Sequence, residues 1–575
     1  MKKQTNILLS LFALLALGTS CSDFLDEEPQ STWGIDDFYN NSTEADIALA
    51  GIYSIYASDN LYGQAMSVIM ESGTDEGYYN RRYNDAWTVG LYRHTSADNY
   101  VQNLWTSLYQ IINLSNIFIE RLNKTEFEDQ EYNQYIAEAK FLRAQAYSLL
   151  VDWYEEVPLR LTPTLDQSAN QMAASSLEDL YDQIISDFTF ASENLLKMSN
   201  SNYTPGRANA LAANGLMARA YLKMAGYPLY DETKYALALE QCEIVINSGE
   251  HSLTPSTTEI QIDPDTGEDK IVTLTDGYRT HFLNYIENTY DTQESLFEIS
   301  FKYLRENGID VHGRIGGING VPFSYGGGDD GYPGAIAMFN TTPVLHDSYV
   351  SNNDSIRKAW NVPAMLYTSS GDARAVTSKL SVSYCPGKYR RWEPTDFDDL
   401  TNTPENGQIE PYTLLEANAT PNRNFTGVNF PVLRYADILL MSAEAENALN
   451  GPTSIAKGYL NQVRQRAGVA NIDDVRAGDV ASQQGFQNEI VDARLREFCF
   501  EGLRKHDLIR WNLLESKLNY LNEAIKGDPN YNANNEDQQA FLRAGNNFDP
   551  TKHMSLPYPL QEVNINDLLD QKPGW

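Results

Sequence analysis

Between Ile490 and Asn512 the chain interleaves large apolar residues with charges of both signs, and few architectures can accept such a segment. Ile490, Leu495, Phe498, Phe500, Leu503, Leu508, Ile509 and Trp511 supply an apolar face broader than a narrow seam, which predicts a helix over this stretch, buried among other helices. Arg494, Arg496, Glu497, Glu501, Arg504, Asp507 and Arg510 recur at three- and four-residue steps, where opposite charges meet on one helix face. Ion pairs so close to bulky apolar side chains are partly buried and tied to neighbouring helices, so they fix how those helices cross. A catalytic carboxylate pair is the other reading this spacing leaves open.

The first half of the chain keeps the same helical period. Ser42-Thr43-Glu44-Ala45 opens a helix with a hydroxyl cap and an early acid, carried on by Ile47, Leu49, Ile52 and Tyr56. Helices follow at Trp105 to Leu122, at Ile136 through Tyr154 with Pro158 ending the run, and at Leu177 to about Leu196. Two more are predicted at Ala208 to Ala225, with Gly226 in the capping position, and at Lys234 to Asn247. From Ala213 to Ile246 the alternation of small and large residues resembles a tetratricopeptide repeat, whose helix pairs stack into a scaffold. A second such pair begins at Phe430 to Ala445, breaks at Asn450-Gly451-Pro452 and resumes from Ala456 to Ala467.

From Ser248 to about Gln408 the rhythm stops. Glu259 to Ile262 and Lys270 to Leu274 flank Asp263-Pro264-Asp265-Thr266-Gly267-Glu268-Asp269 and predict a β-hairpin. The acids of that turn could hold calcium but lack the order and final Glu of an EF-hand. Gly313 to Gly334, rich in glycine and tyrosine, is expected to be a mobile surface loop and is not a phosphate loop, because no Gly-Lys-Ser/Thr follows.

At the other end, Lys2 and Lys3 precede the apolar run Ile7 to Leu17 and then Gly18-Thr19-Ser20-Cys21, the pattern of a secretion signal with lipidation at Cys21. Cys242, Cys385 and Cys499 remain; with no CxxC and no Cys/His cluster, neither a structural zinc nor a full disulfide framework is expected. A net charge of −35 without a basic stripe argues against nucleic acid as a partner. The seven histidines are scattered, and neither HExxH nor Gly-x-Ser-x-Gly occurs. Carboxylates abound, yet none is marked as a pair, so no enzyme activity, cofactor or metal is expected.

Glu497-Phe498-Cys499-Phe500-Glu501-Gly502-Leu503-Arg504-Lys505-His506-Asp507-Leu508-Ile509-Arg510-Trp511 resembles the C-terminal signature of the SusD/RagB family, surface lipoproteins of Bacteroidetes that capture nutrients for an outer-membrane transporter. Cys21 to Asp26, Glu138 to Leu159, Arg207 to Ala225, Leu433 to Met441, Leu460 to Gly468, Leu556 to Pro559 and Gln571 to Trp575 resemble further segments of the family in order. The resemblance implies a mainly α, SusD-like fold with tetratricopeptide-like repeats and an irregular insertion carrying short β-hairpins. It divides the chain into a signal peptide (1–20), a lipidated tether (21–41), a helical repeat region (42–250), a loop-rich ligand-binding insertion (251–429) and a C-terminal helical region (430–575). Arg434, Asp437, Glu444, Glu497, Glu501, Arg504, Asp507 and Arg510 would be its structural signature.

The resemblance also implies what is bound: polysaccharide or oligosaccharide, held without modification at the cell surface of the outer membrane and delivered to a SusC-like TonB-dependent transporter. Capture of peptide or another nutrient, as in the RagB branch, and a mainly structural sealing role are the alternatives. A sugar ring lays its apolar face on Trp or Tyr while polar side chains meet its hydroxyls. Tyr79, Arg81, Tyr83, Asn84, Trp87 and Tyr92 offer that mixture, as do Tyr325, Asp329 and Tyr332; Trp360 and Trp392 are outlying candidates.

Overall fold

The protein is described by a computed structural model over residues 38–81, 84–164, 170–262, 269–304, 309–323, 333–367, 373–394, 412–417 and 422–575. It is mainly α, about 51% helical. The first helices are α1 (Ser42–Tyr56), α2 (Asn99–Arg121), α3 (Asp129–Tyr154), α4 (Leu177–Asn194), α5 (Ala210–Ala225) and α6 (Lys234–Ser248). Then come α7 (Gly277–Ile286), α8 (Pro343–Ser351), α9 (Ser355–Asn361), α10 (Tyr435–Asn450), α11 (Ser454–Arg466), α12 (Ile472–Arg476) and α13 (Gln483–Phe498). The last are α14 (Arg504–Arg510), α15 (Leu514–Gly527), α16 (Glu536–Gln539), α17 (Arg543–Asn547) and α18 (Leu560–Ile565).

Short polar side chains start these helices by accepting a hydrogen bond from a free first-turn amide. Asp98 does so for α2, Ser176 for α4 and Asn209 for α5. For α1 the cap is the Asn41 amide, which accepts from Glu44 N–H at 3.1 Å, and not the hydroxyl expected at Ser42. Helix α3 stops before Pro158, because Glu155 takes a φ of +53°. Each long helix packs on the next from α2 through α6; α10 then packs on α6 and α11 on α10, so the C-terminal helices extend the N-terminal stack. Where α5 passes the strand ending at Arg434, Gly215 leaves room for the other chain: a Cβ there would lie 2.5 Å from Leu433.

The single helix expected from Ile490 to Asn512 is two, α13 and α14. Phe500 and Gly502 adopt φ of +66° and +68°, which breaks the helix between them. Tertiary contacts override the local period: Phe500 N–H donates to Glu76 Oε1 at 2.8 Å, and its ring meets Phe339 edge-on at 5.6 Å. Cys499 therefore lies at the joint rather than on a helix face; it, Cys242 and Cys385 are buried free thiols.

Among the described residues the strands form two-stranded antiparallel pairs only. Strand β1 (Gly77–Tyr79) comes first, and the hairpin expected from the sequence is β2 (Thr257–Ile262) with β3 (Asp269–Thr275). Its acidic turn, 263–268, lies outside the described residues. Two other pairs join distant segments: β4 (Ser295–Ile299) to Phe430–Arg434, and β1 to Phe339–Thr341. The first part of the glycine-rich segment is no surface loop. Ile315, Ile318, Val321 and Phe323 are buried, and Ile318 accepts backbone hydrogen bonds from Met338 and Phe339, so this strap runs through the interior. One hydrophobic cluster reaches from Ala45 to Leu569.

Candidate functional site

The charges of the C-terminal signature are inside. Arg434 donates to Glu501 at 2.7 and 2.8 Å, to Glu497 at 2.7 Å and to Glu294 at 3.1 Å. Glu497 also receives Arg357 at 2.8 Å and Arg466, while Lys388 reaches Glu501 at 2.7 Å. A second group centres on Asp437, which takes Arg494 at 2.5 Å and Arg219 at 2.6 Å; Asp507 links Arg494 to Arg510, which holds Glu444. Arg504 grips Asp75 with two bonds of 2.7 and 2.8 Å, tying α14 to the segment before β1. Burial pushes the Glu497 carboxyl up, but the guanidiniums of Arg466, Arg434 and Arg357 outweigh it and hold that carboxyl well below the usual range. Each of these charges is met by an opposite one, so the arrangement crosslinks elements that are distant in sequence.

The cross-strand pair between β1 and Phe339–Thr341 carries a cleft of about 490 Å³ at its end, with Asn80, Arg81 and Asn84 on one side and Pro322, Ile336, Ala337, Val382, Ser383, Cys385 and Asp537 on the others. Asn80 is fixed by pairing: its N–H donates to Met338 O at 3.0 Å, and its Nδ2 donates to Ala337 O at 2.9 Å and Asn340 Oδ1 at 2.8 Å. Among the described residues its Oδ1 has no hydrogen-bond partner. Arg81 touches Ile336 O through Nη2 at 3.3 Å and is otherwise exposed. Arg543, from α17, clamps the segment by donating to Arg81 O at 2.7 Å and Asn84 O at 3.2 Å and by pairing with Asp85. The Asn80 Oδ1 acceptor, the Arg81 guanidinium and the Asn84 amide thus stand around an apolar floor of Ile336, Ala337 and Val382, an arrangement suited to a hydroxyl-rich ligand. Burial pushes the Cys385 thiol up to about 12, so it lines the cleft as an inert side chain.

Of the first sequence stretch, Arg81 and Asn84 come to the cleft, but its rings do not. Tyr79 and Trp87 stack on each other at 4.6 Å beneath the surface. Tyr92 is buried against Phe548 and donates to Gly73 O at 2.9 Å. Arg390 covers the ring of Trp360 at 4.3 Å, and Trp392 stacks on Phe323 at 4.7 Å while donating to Pro333 O. These five aromatic candidates are only 1–5% exposed, and a ring covered by protein cannot lie on a sugar; packing accounts for them. Tyr83, Tyr325, Asp329 and Tyr332 lie outside the described residues. Arg81 and Asn84 are at the cleft, whereas Arg543, Ser383 and Asp537, distant in sequence and free of any local pattern, were not foreseeable.

The profile of the SusD family matches residues 345–575, and one described as "Starch-binding associating with outer membrane" matches residues 23–222. SusD-like protein P25 of Formosa agariphila is 26% identical over 99% of this chain and 98% of its own length. Among solved structures, a SusD homolog from Bacteroides thetaiotaomicron superposes with a TM-score of 0.77 at 24% identity, covering 94% of this chain and 98% of that one. A laminarin-binding SusD-like protein superposes with a TM-score of 0.64 at 20% identity, covering 93% and 100%.

Proposed function

We propose that this chain, which belongs to the SusD-like family, binds a polysaccharide or its oligosaccharides without altering them and delivers them to a SusC-like TonB-dependent transporter in the outer membrane. The observation that carries the reading is the cleft at Asn80, Arg81 and Asn84, where donors and acceptors are held by backbone pairing around an apolar floor. Such a site recognises hydroxyls on a neutral ring and needs no charge on the ligand. The starch-binding description of one matching family and the laminarin-binding neighbour point to the same ligand class. The apolar run Ile7 to Leu17 followed by Gly18-Thr19-Ser20-Cys21 supports attachment through acylated Cys21.

Electrophoresis of the mature protein in native gels containing starch, laminarin or other polysaccharides tests this. Retardation by one polysaccharide class, with no new reducing ends after long incubation, is expected. Release of reducing ends, or free migration in every gel, would overturn it.

A further inference from the structure

We propose a second carbohydrate site, on the outer side of α2 where it faces α18, separate from the cleft at Asn80 and Arg81 and resting on the reading of the protein as a glycan binder. An open pocket of about 410 Å³ lies there, sharing no lining residue with that cleft and within the size range of small-ligand sites.

Its residues combine what a sugar needs. Tyr109 gives the pocket its aromatic face and is backed by the buried Trp105, one helical turn away, which packs on it ring to ring at 4.8 Å. The half-buried Tyr109 is locked in place because its hydroxyl donates to Pro158 O at 2.7 Å. Amides surround the rings. Asn113, which also lines the pocket, is fixed because its Oδ1 accepts from Thr164 N–H at 2.8 Å. Gln110 and Gln561 are exposed on helices that both line the pocket, and the side chain of neither makes a hydrogen bond among the described residues. The walls are built before any ligand arrives: Gln171 Nε2 donates to Ile565 O at 2.7 Å, Asn566 Nδ2 donates to Met172 O at 2.8 Å, and Met172 N–H returns a bond to Asn566 Oδ1 at 3.1 Å. A wall held this way loses little entropy on binding.

The polar groups are mostly neutral, and the two charged ones, Arg160 and Glu562, are of opposite sign. That balance favours an uncharged, hydroxyl-bearing ligand over a phosphate or an acidic or basic peptide. Two sites on one rigid body would hold a long glycan at two points, and the second contact would raise the apparent affinity for polymer above that for short oligosaccharides.

Calorimetric titration of the full mature protein with laminarin, starch and their short oligosaccharides tests the proposal. The Gln110→Ala/Gln561→Ala double variant removes exposed amides only, and Thr106→Trp, also at an exposed position, fills the pocket. For a glycan that binds the unaltered protein, each variant should reduce the stoichiometry of short oligosaccharide from two to one and weaken binding of the polymer by at least about tenfold. Arg81→Ala should leave the complementary site. Wild-type titrations by the pocket variants, with all binding lost in Arg81→Ala, would overturn the second site and leave the proposed function standing. Absence of glycan binding by the unaltered protein would overturn both. If Thr106→Trp abolished co-purification with the transporter while the titration stayed unchanged, the pocket would be a protein contact and the proposal would fail.

Discussion

Arg434 Nη1 stands 2.7 Å from Glu497 Oε1, with both side chains buried, at the point where the strand Phe430–Arg434 turns into α10 and crosses α13. Around this pair the protein gathers Glu294, Glu501, Arg357 and Arg466, from segments that the sequence separates widely. Desolvation makes such a group expensive to assemble, and mutual pairing makes it more expensive to break. The network specifies which elements meet.

Glu497→Ala and Arg434→Ala should each lower stability by about 3–5 kcal/mol, since each strands a buried opposite charge. Lys124→Ala, which removes an exposed partner of Asp129, should change it by less than about 1 kcal/mol. Urea denaturation of the three variants checks both. Equal midpoints would show that the buried network contributes nothing.

Stability should fall as pH rises from mildly acidic to mildly basic values. Burial pushes the Glu76 carboxyl up to about 8 and that of Glu298 to about 7, although hydrogen bonds from Phe500 N–H and from Ser295 and Asn429 oppose the shift. The folded chain keeps these protons where the unfolded chain, titrating near 4.5, has lost them, so their contribution is complete below about 4.5 and is lost as pH climbs to about 8. Glu497 and Asp437 act in the opposite sense: held low by arginines, they contribute at neutral pH and lose that contribution only below about pH 4. Thermal melts between about pH 5 and 8 should show a decline that Glu76→Gln flattens. An unchanged slope in that variant would contradict the assignment.

Two glycines should respond differently to alanine. Gly502 has a φ of +68° with its nearest neighbour 3.5 Å from an added Cβ, so Gly502→Ala should cost only the backbone strain, about 1–2 kcal/mol. At Gly73, with φ of +85°, a Cβ would lie 1.9 Å from Gly90 O, and Gly73→Ala should prevent soluble expression. Comparable yields and melting temperatures for the two would contradict this geometry.

Trp360→Ala and Trp392→Ala should each destabilise by about 3–5 kcal/mol, as large-to-small changes in a packed interior do. Trp360 lines no part of either pocket, so glycan affinity should be unchanged in its variant wherever the protein remains folded. A selective loss of affinity with normal stability would restore Trp360 as a contact residue.

Much of the scaffold was legible because helical period is a local property. The mixture of charge and bulk around Glu497, Glu501 and Arg504 marked buried ion pairs to other elements, and the alternation from Ala213 to Ile246 marked a helix pair. The break at Phe500 was not legible, since it depends on Glu76, far away in sequence. The site was harder still. Asn80 and Arg81 become a cleft only because β1 pairs with Phe339–Thr341 and Arg543 clamps from α17, three segments with no local signal joining them. Aromatic residues in irregular sequence suggested a surface, yet Trp360 and Trp392 found cationic and aromatic neighbours that covered them.

The most direct test is calorimetric titration of the mature protein and its Arg81→Ala and Asn84→Ala variants with a panel of polysaccharides and oligosaccharides. Binding to one glycan class, weakened by at least about tenfold in both variants with melting temperature unchanged, is the expected result. No glycan bound, or variants that bind as the unaltered protein does, would contradict the assignment of this cleft.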